Sequence, residues 1–255
     1  MSNRLTARYP RIANFALVLI AVCGTLVILE GTVRVVRNTV AMTVDDPVLG
    51  WVHNIQRPTV IKVNSCGEET VAVPAPSPYL VRLPRGDTGR RILFLGDSST
   101  HGHEVSTGAA YYDTVEALGG GKYSIWAAGV GGYGNLQEFL LLKKVYDEIR
   151  PEIVAWQLDS NDIANNVYRL DRGSIFNNVK PRPYLDPDTG AIELRDPSLL
   201  LFRISQGARQ LLPHIIGLDI KFGLGLSEMT DRWLGPAPEE RPALEQQGLR
   251  VLDHV

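Results

Sequence analysis

Three short polar segments carry residue types that could do nucleophilic chemistry on an acyl group. Residues 96–98 read Gly-Asp-Ser. A serine at a tight turn can attack a carbonyl carbon, and a helix that begins there directs backbone N–H groups at the oxyanion that forms. Residues 129–134 are rich in glycine, so a ligand can approach their backbone closely. Residues 159–162 read Asp-Ser-Asn-Asp and supply a side-chain amide that can donate to an oxyanion.

Each of these segments also has a simpler interpretation. Serine is a common helix N-cap, so Ser98 could serve only to begin a helix. The glycine-rich segment could be an ordinary tight turn, and residues 159–162 could be another helix cap. The segments therefore indicate a shared chemistry only if the fold brings them together.

The elements around the three segments alternate between strands and helices. Short apolar runs predict strands at residues 91–96, 123–129 and 152–158, and the intervening patterns predict helices at 107–118 and 136–149. Strand–helix repeats of this kind predict a parallel sheet with helices on both faces, a three-layer α/β/α sandwich. Ligands bind at the carboxyl ends of such strands, and each polar segment directly follows a predicted strand.

The order and spacing of the segments resemble one family, the SGNH (GDSL-type) hydrolases. The family's first three sequence blocks are matched, in order, by residues 91–102, 127–134 and 159–162. Further similarity to membrane-anchored bacterial members lies at residues 45–51, 62–67 and 180–194. The resemblance thus covers roughly residues 45–200, and the three blocks are its specific part.

The resemblance implies a role for each block. Ser98 is expected to be the nucleophile, and the Ser98 N–H, the Gly132 N–H and the Asn161 amide are expected to form the oxyanion hole. The implied fold is a flavodoxin-like three-layer sandwich, with no cofactor and no metal. The implied reaction is hydrolysis of O-acyl esters, O-acetyl esters included, through an acyl-serine. Anchored members also act in cell-surface polysaccharide modification, so an O-acyltransferase or an inactive relative is an alternative. The expected partner is an ester-bearing small molecule or an acylated glycan.

The fourth block of the family, D-x-x-H, is absent from the sequence. None of the five histidines has an aspartate three residues before it; they are His53, His101, His103, His214 and His254. Two of them follow Ser98 too closely for an easy general base, and His214 lies in an apolar context. Residues 244–253 are interpreted as the strand that precedes the missing block. We therefore expect a chain truncated at its C-terminus and nearly inactive on simple esters, because losing the base leaves only ~10³–10⁴-fold catalysis over water.

A dinucleotide site is the competing interpretation of the glycine-rich segment. Gly129, Gly131 and Gly134 fit the spacing G-x-G-x-x-G between a predicted strand and a predicted helix. The next acidic residue at a strand end, Asp159, lies thirty residues beyond Gly129, further than the usual ~20. This alternative would also leave the serine and asparagine segments unexplained.

The N-terminal part contains an uncharged run of eighteen residues, 12–29. That length is about the minimum for a membrane-spanning helix, and we expect an uncleaved anchor at residues 12–33 behind a cytoplasmic tail at 1–11. Three arginines precede the run and two follow it within eight residues, which favours an exported remainder. A cleaved signal peptide and a buried helix stay open as alternatives.

The remaining chain is divided into a proline-rich connecting region, residues 34–88, and a hydrolase domain, residues 89–255. The net charge of −2 gives no reason to expect a nucleic-acid partner. The two cysteines, Cys23 and Cys66, are not expected to pair, because Cys23 lies inside the apolar run.

Overall fold

The structure is a computed structural model, and it describes residues 10–64, 66–86, 89–174, 180–197, 231–232 and 234–254. The helices are α1 (Pro10–Val40), α2 (Ser98–His101), α3 (Tyr111–Gly119), α4 (Asn135–Ile149), α5 (Asp162–Asn165), α6 (Tyr168–Asp171) and α7 (Arg241–Arg250). The strands are β1 (Thr43–Asp46), β2 (Gly50–His53), β3 (Val60–Val63), β4 (Glu69–Ala72), β5 (Arg90–Gly96), β6 (Tyr123–Gly129), β7 (Ile153–Trp156), β8 (Arg182–Leu185) and β9 (Ile192–Arg195). Short 3₁₀ helices cover Pro238–Glu240 and Val251–Asp253.

The central feature is a parallel three-stranded sheet in which β5 lies between β6 and β7. The prediction of a mixed α/β fold with parallel pairing is thereby confirmed. Gly96 at the end of β5 is in register with Gly129 at the end of β6, and Leu95 is in register with Trp156 of β7. The three polar segments of the sequence therefore leave the sheet at the same edge.

Both faces of β5 are apolar, as is usual for a parallel strand covered on two sides. Leu93 and Leu95 pack on one face with Leu141 and Val145 of α4. On the other face, Ile92 and Phe94 form a second cluster whose other buried members are Ala110, Tyr112, Ile125 and Ala127. The helix predicted at 107–118 begins only at Tyr111, because the Asp113 carboxylate accepts from the Ala110 N–H and fixes the start there.

Part of the proline-rich region belongs to the same core. The turn between the antiparallel strands β1 and β2 contributes Leu49 to the cluster that holds Leu93 and Leu95, and β2 contributes Trp51 and Val52. The β-like run expected near residues 59–63 is present as β3, paired with β4. Residues 34–88 therefore do more than connect, since they supply strands and buried side chains to the α/β unit.

Helix α1 contains the apolar run on which the anchor prediction was based. Most of the side chains described in this helix are exposed, Phe15, Val27 and Ile28 among them. Within the part of the chain that the structure describes, no helix has both the length and the apolar character needed to cross a bilayer. The expected transmembrane anchor at residues 12–33 is thus not supported. Cys23 and Cys66 are both exposed and unpaired, as expected.

The C-terminal strand prediction is wrong. Residues 244–253 lie in α7 and in the 3₁₀ helix Val251–Asp253. Pro242 in the first turn favours a helix start, and the buried residues Leu244 and Gly248 lie four apart on one helix face. A side chain at Gly248 would collide with the Ile163 carbonyl, so α7 packs closely beside α5. His214 lies outside the described residues.

Candidate active site

Ser98 and Asn161 meet on one buried carboxylate at the carboxyl edge of the sheet. Asp97 Oδ2 accepts from Ser98 Oγ at 3.3 Å and from Asn161 Nδ2 at 3.3 Å. The other oxygen, Asp97 Oδ1, accepts from the Ser99 N–H at 3.1 Å and caps α2. Ser99 Oγ in turn donates to Asp159 Oδ2 at 3.4 Å. The first and third polar segments are therefore neighbours, joined through Asp97 and through Ser99.

The glycine-rich segment lies on the other side of Ser98. A Cβ atom built at Gly131 would be 3.9 Å from Ser98 Cβ, so the two backbones are adjacent. Gly132 has φ of +80°, a left-handed conformation that favours glycine. A side chain at Gly129 would collide with Thr100 and with the His101 N–H. All three sequence-predicted site segments are thus brought together.

Three buried side chains from distant parts of the chain hold the glycine-rich segment through its carbonyl groups. His53 Nε2 donates to the Gly129 carbonyl at 2.7 Å, Trp51 Nε1 to Gly131 at 3.2 Å, and Arg182 Nη2 to Gly132 at 2.6 Å. The sequence interpretation gave none of these residues a role. The only signal was the family likeness of residues 45–51 and 180–194, the stretches that contain Trp51 and Arg182.

Three histidine rings form a row beside Ser98. The ring centroids of His53 and His101 are 4.6 Å apart, and those of His101 and His103 are 5.7 Å apart. Burial lowers the pKa of His53 to about 4 and lowers that of His101 well below its ordinary value. The pKa of His103 is also lowered, chiefly by burial and by the charge of Lys62. The imidazoles of His53 and His101 are therefore uncharged at neutral pH.

A buried carboxyl pair lies beneath Asn161. Glu138 of α4 is fully buried and accepts from Trp156 Nε1 at 2.6 Å. Asn135 Nδ2 donates to Asp162 Oδ2 at 3.1 Å, and the same oxygen accepts from the Asp159 N–H at 2.8 Å. Burial first, and then the charge of Asp162, raises the pKa of Glu138 to about 8; burial also raises the pKa of Asp162 to about 6.

The raised pKa of Glu138 predicts a loss of stability with rising pH. The folded protein holds this proton up to about pH 8, whereas the unfolded chain releases it near the ordinary value of 4.5. The native state therefore binds more protons in that window, and its free energy of unfolding falls by up to about 1.4 kcal/mol per pH unit. We expect Glu138→Gln, which keeps an acceptor for Trp156, to flatten this slope.

Urea unfolding followed by circular dichroism across this pH window measures the effect. Glu148→Gln, an exposed change on the same helix, is the matched control and should leave the slope unchanged. A slope as steep in Glu138→Gln as in the unmodified chain would show that Glu138 is already ionised in the folded state.

Two neighbouring cavities open near α2, and Ser98 lines the smaller of them. The smaller, of about 340 Å³, is lined by Ser98 and Ser99 together with His103 and Tyr111. The larger, of about 500 Å³, is lined by His101 and His103 and by arginines at positions 57, 82 and 85. Gly102, His103, Val105 and Ala110 line both cavities, so the two cavities are neighbours. Both volumes lie in the range of small-molecule sites.

Packing within the protein accounts for two of the three glycines that suggested a dinucleotide site, Gly129 and Gly134. Gly129 is pressed against α2, and a side chain at Gly134 would collide with Asn165. At the start of α4, the Leu136 N–H donates to Asn166 Oδ1 at 3.3 Å, so a protein side chain already caps this N-terminus. Close packing thus requires glycine at two of the three positions, whether or not a ligand binds there.

A scan of the chain against models of protein families finds no match, and a search of curated proteins finds no significant relative. In the described ranges, no group of three or more histidine, cysteine or acidic side chains is arranged to hold a metal ion. The resemblance to the SGNH hydrolases therefore rests on the three sequence blocks, and the candidate site rests on its own geometry.

Proposed function

We propose that the chain is a serine ester hydrolase that cleaves O-acyl esters, O-acetyl esters among them, through an acyl-serine at Ser98. The observation that carries the proposal is a shared carboxylate: Ser98 Oγ and Asn161 Nδ2 each lie 3.3 Å from the same oxygen, Asp97 Oδ2. A nucleophile and an amide donor from two strand ends are thus within reach of one ester carbonyl. Their adjacency to the glycine-rich segment gives further support.

In the proposed reaction Ser98 Oγ attacks the carbonyl carbon and loses its proton to a general base. The carbonyl oxygen becomes an oxyanion, for which the Ser98 N–H, the Gly132 N–H and Asn161 Nδ2 are the donors. The alcohol leaves with a proton, and water then hydrolyses the acyl-serine. The resemblance implies that the base belongs to a D-x-x-H block, a pattern that the sequence does not contain. Asp97 and Asp162 orient their loops and do no chemistry.

The finer fold and the setting belong to the same proposal. A flavodoxin-like three-layer α/β/α sandwich is supported by the apolar clusters on both faces of β5. An exported domain acting on an ester-bearing small molecule or an acylated glycan rests on the sequence resemblance alone.

Trapping of an acyl group on Ser98 tests the proposal. Without an efficient base, both acylation and deacylation are slow, so incubation with p-nitrophenyl acetate should leave an acetyl group on the peptide that contains Ser98. Peptide mass spectrometry after proteolysis locates the group. We expect Ser98→Ala to abolish the modification.

Ser99→Ala is the matched control, because Ser99 is the exposed neighbouring serine on the same short helix. It should be acetylated as the unmodified chain is. Acetylation that persists in Ser98→Ala but disappears in Ser99→Ala would assign the nucleophile to Ser99 and overturn the proposal.

A further inference from the structure

The larger cavity contains one arginine whose charge nothing in the described structure neutralises. Arg57 follows β2 and lines the cavity. Its Nε atom is buried and has no hydrogen-bond partner among the described residues, and none of their carboxylates forms an ion pair with its guanidinium. The side chain as a whole is half-buried, so the unmet group is the Nε–H rather than a buried charge. A buried N–H without a partner is costly, and a ligand in the cavity that supplies an acceptor would satisfy it.

The other two arginines of the cavity are already paired. Arg82 Nε lies 3.4 Å from Asp113 Oδ1, and its Nη2 donates to Glu116. Arg85 Nε lies 3.3 Å from Glu116 Oε2. Two arginines thus share two carboxylates, and the charge of Arg57 is left over.

The charge of Arg57 acts directly on the row of histidines. It contributes to the lowered pKa of both His53 and His101, so Arg57 lies close to these rings. Glu104, which lines the smaller cavity, lies 2.8 Å from His103 Nε2 through its Oε1 atom. Lys62 is also close enough to lower the pKa of His103. The larger cavity therefore carries a net positive charge, since the charge of Arg57 is the one that no carboxylate of the described residues offsets.

We propose that this cavity binds a carboxylate on the alcohol part of the ester, held by the Arg57 guanidinium. The smaller cavity, which contains Ser98, suits a short acyl group, and the larger cavity beyond His103 takes the leaving alcohol. A guanidinium binds a carboxylate through two parallel N–H donors, which gives orientation as well as affinity. This inference rests on the proposed function and names its substrate class, an acylated hydroxy acid such as an acidic sugar.

The test uses two probes of the same shape, 4-acetoxybenzoate and the neutral 4-acetoxybenzamide. Both are titrated calorimetrically into the Ser98→Ala chain, which cannot turn them over through Ser98. We expect the acid to bind roughly tenfold more tightly than the amide, the effect of one hydrogen-bonded charge. Arg57→Gln in the same background should bring the two affinities together. Arg195→Gln, which changes an exposed arginine paired with Glu193, should leave the ratio unchanged.

Salt provides a second measurement that needs no change at Arg57. Higher ionic strength should weaken binding of the acid and leave the amide unaffected, because only the acid depends on charge. Equal affinities for the two probes, or a ratio that survives in Arg57→Gln, would overturn the inference. If the acid binds more tightly than the amide but p-nitrophenyl acetate does not acetylate Ser98 in the unmodified chain, the hydrolase proposal is contradicted and the anion site is retained.

Discussion

Arg182→Leu is expected to lower the free energy of unfolding by about 3–5 kcal/mol, the usual cost of removing one partner of a buried ion pair. Arg182 is 1% exposed, and its Nε lies 3.2 Å from Asp171 Oδ2. Its Nη1 donates to Gln137 Oε1 at 2.8 Å, and the guanidinium lies 4.9 Å from the centroid of the Trp51 ring. The substitution leaves the Asp171 carboxylate buried without its arginine, while Tyr184 Oη still donates to it at 2.5 Å.

Urea unfolding of the full chain measures this loss. The control is Arg169→Leu, which breaks an exposed pair with Glu240 and should cost less than about 1 kcal/mol. The double change Arg182→Leu with Asp171→Leu removes both charges and should recover part of the stability. Similar losses in the Arg182 and Arg169 variants would mean that the buried pair contributes little.

The position of Arg182 also connects the buried ion pair to the candidate site. Its Nη2 holds the carbonyl of Gly132, whose N–H is a proposed oxyanion donor. The Gly132 N–H lies in the peptide plane of the Gly131 carbonyl, which Trp51 holds, and Arg182 holds the next plane along the chain. Loss of Arg182 frees one of the two planes that meet at Gly132, so Gly132 would aim its N–H less well. The hairpin β8–β9 thus supports the glycine-rich segment from a position fifty residues away in sequence.

The sheet and the three site segments could be predicted because their signals are local. Short apolar runs predict strands, and the polar residues that follow parallel strands must gather at one edge. The positions of Ser98, Gly132 and Asn161 at this edge could be predicted from this rule and from the spacing of the family's sequence blocks. The residues around them could not be predicted in this way, because Trp51 and His53 contact the glycine-rich segment across some eighty residues of sequence.

Two predictions failed or lacked support for a similar physical reason. A run such as residues 244–253 contains apolar residues that suit a strand or a helix, and the choice depends on what the segment packs against. Close contact between Gly248 and Ile163 decides for a helix. The membrane anchor was inferred from the absence of charged residues at 12–29. This is a property of composition, and it does not determine whether a helix packs against lipid or against protein.

Asn161→Ala is expected to slow acylation of Ser98 by about 10²–10³-fold, the loss measured when one oxyanion donor is removed from a serine hydrolase. In the resting structure one Asn161 amide hydrogen is directed at Asp97 Oδ2. The amide has a second hydrogen that remains for the substrate oxygen. The rate follows from the p-nitrophenol released in the first turnover of p-nitrophenyl acetate.

A fold effect and a chemical effect can be separated at this position. Asn161 is only partly buried and its contact with Asp97 is long, at 3.3 Å, so the unfolding midpoint of Asn161→Ala should stay close to that of the unmodified chain. Ser160→Ala removes an exposed neighbour whose hydroxyl contacts Asp159, and it should acylate at the normal rate. An acylation rate in Asn161→Ala equal to that of Ser160→Ala would exclude the amide from the oxyanion hole. If Asn161→Ala lowered the unfolding midpoint as well as the acylation rate, the role of Asn161 would be to hold Asp97 in place. A donor to the oxyanion lowers the rate while the fold is retained.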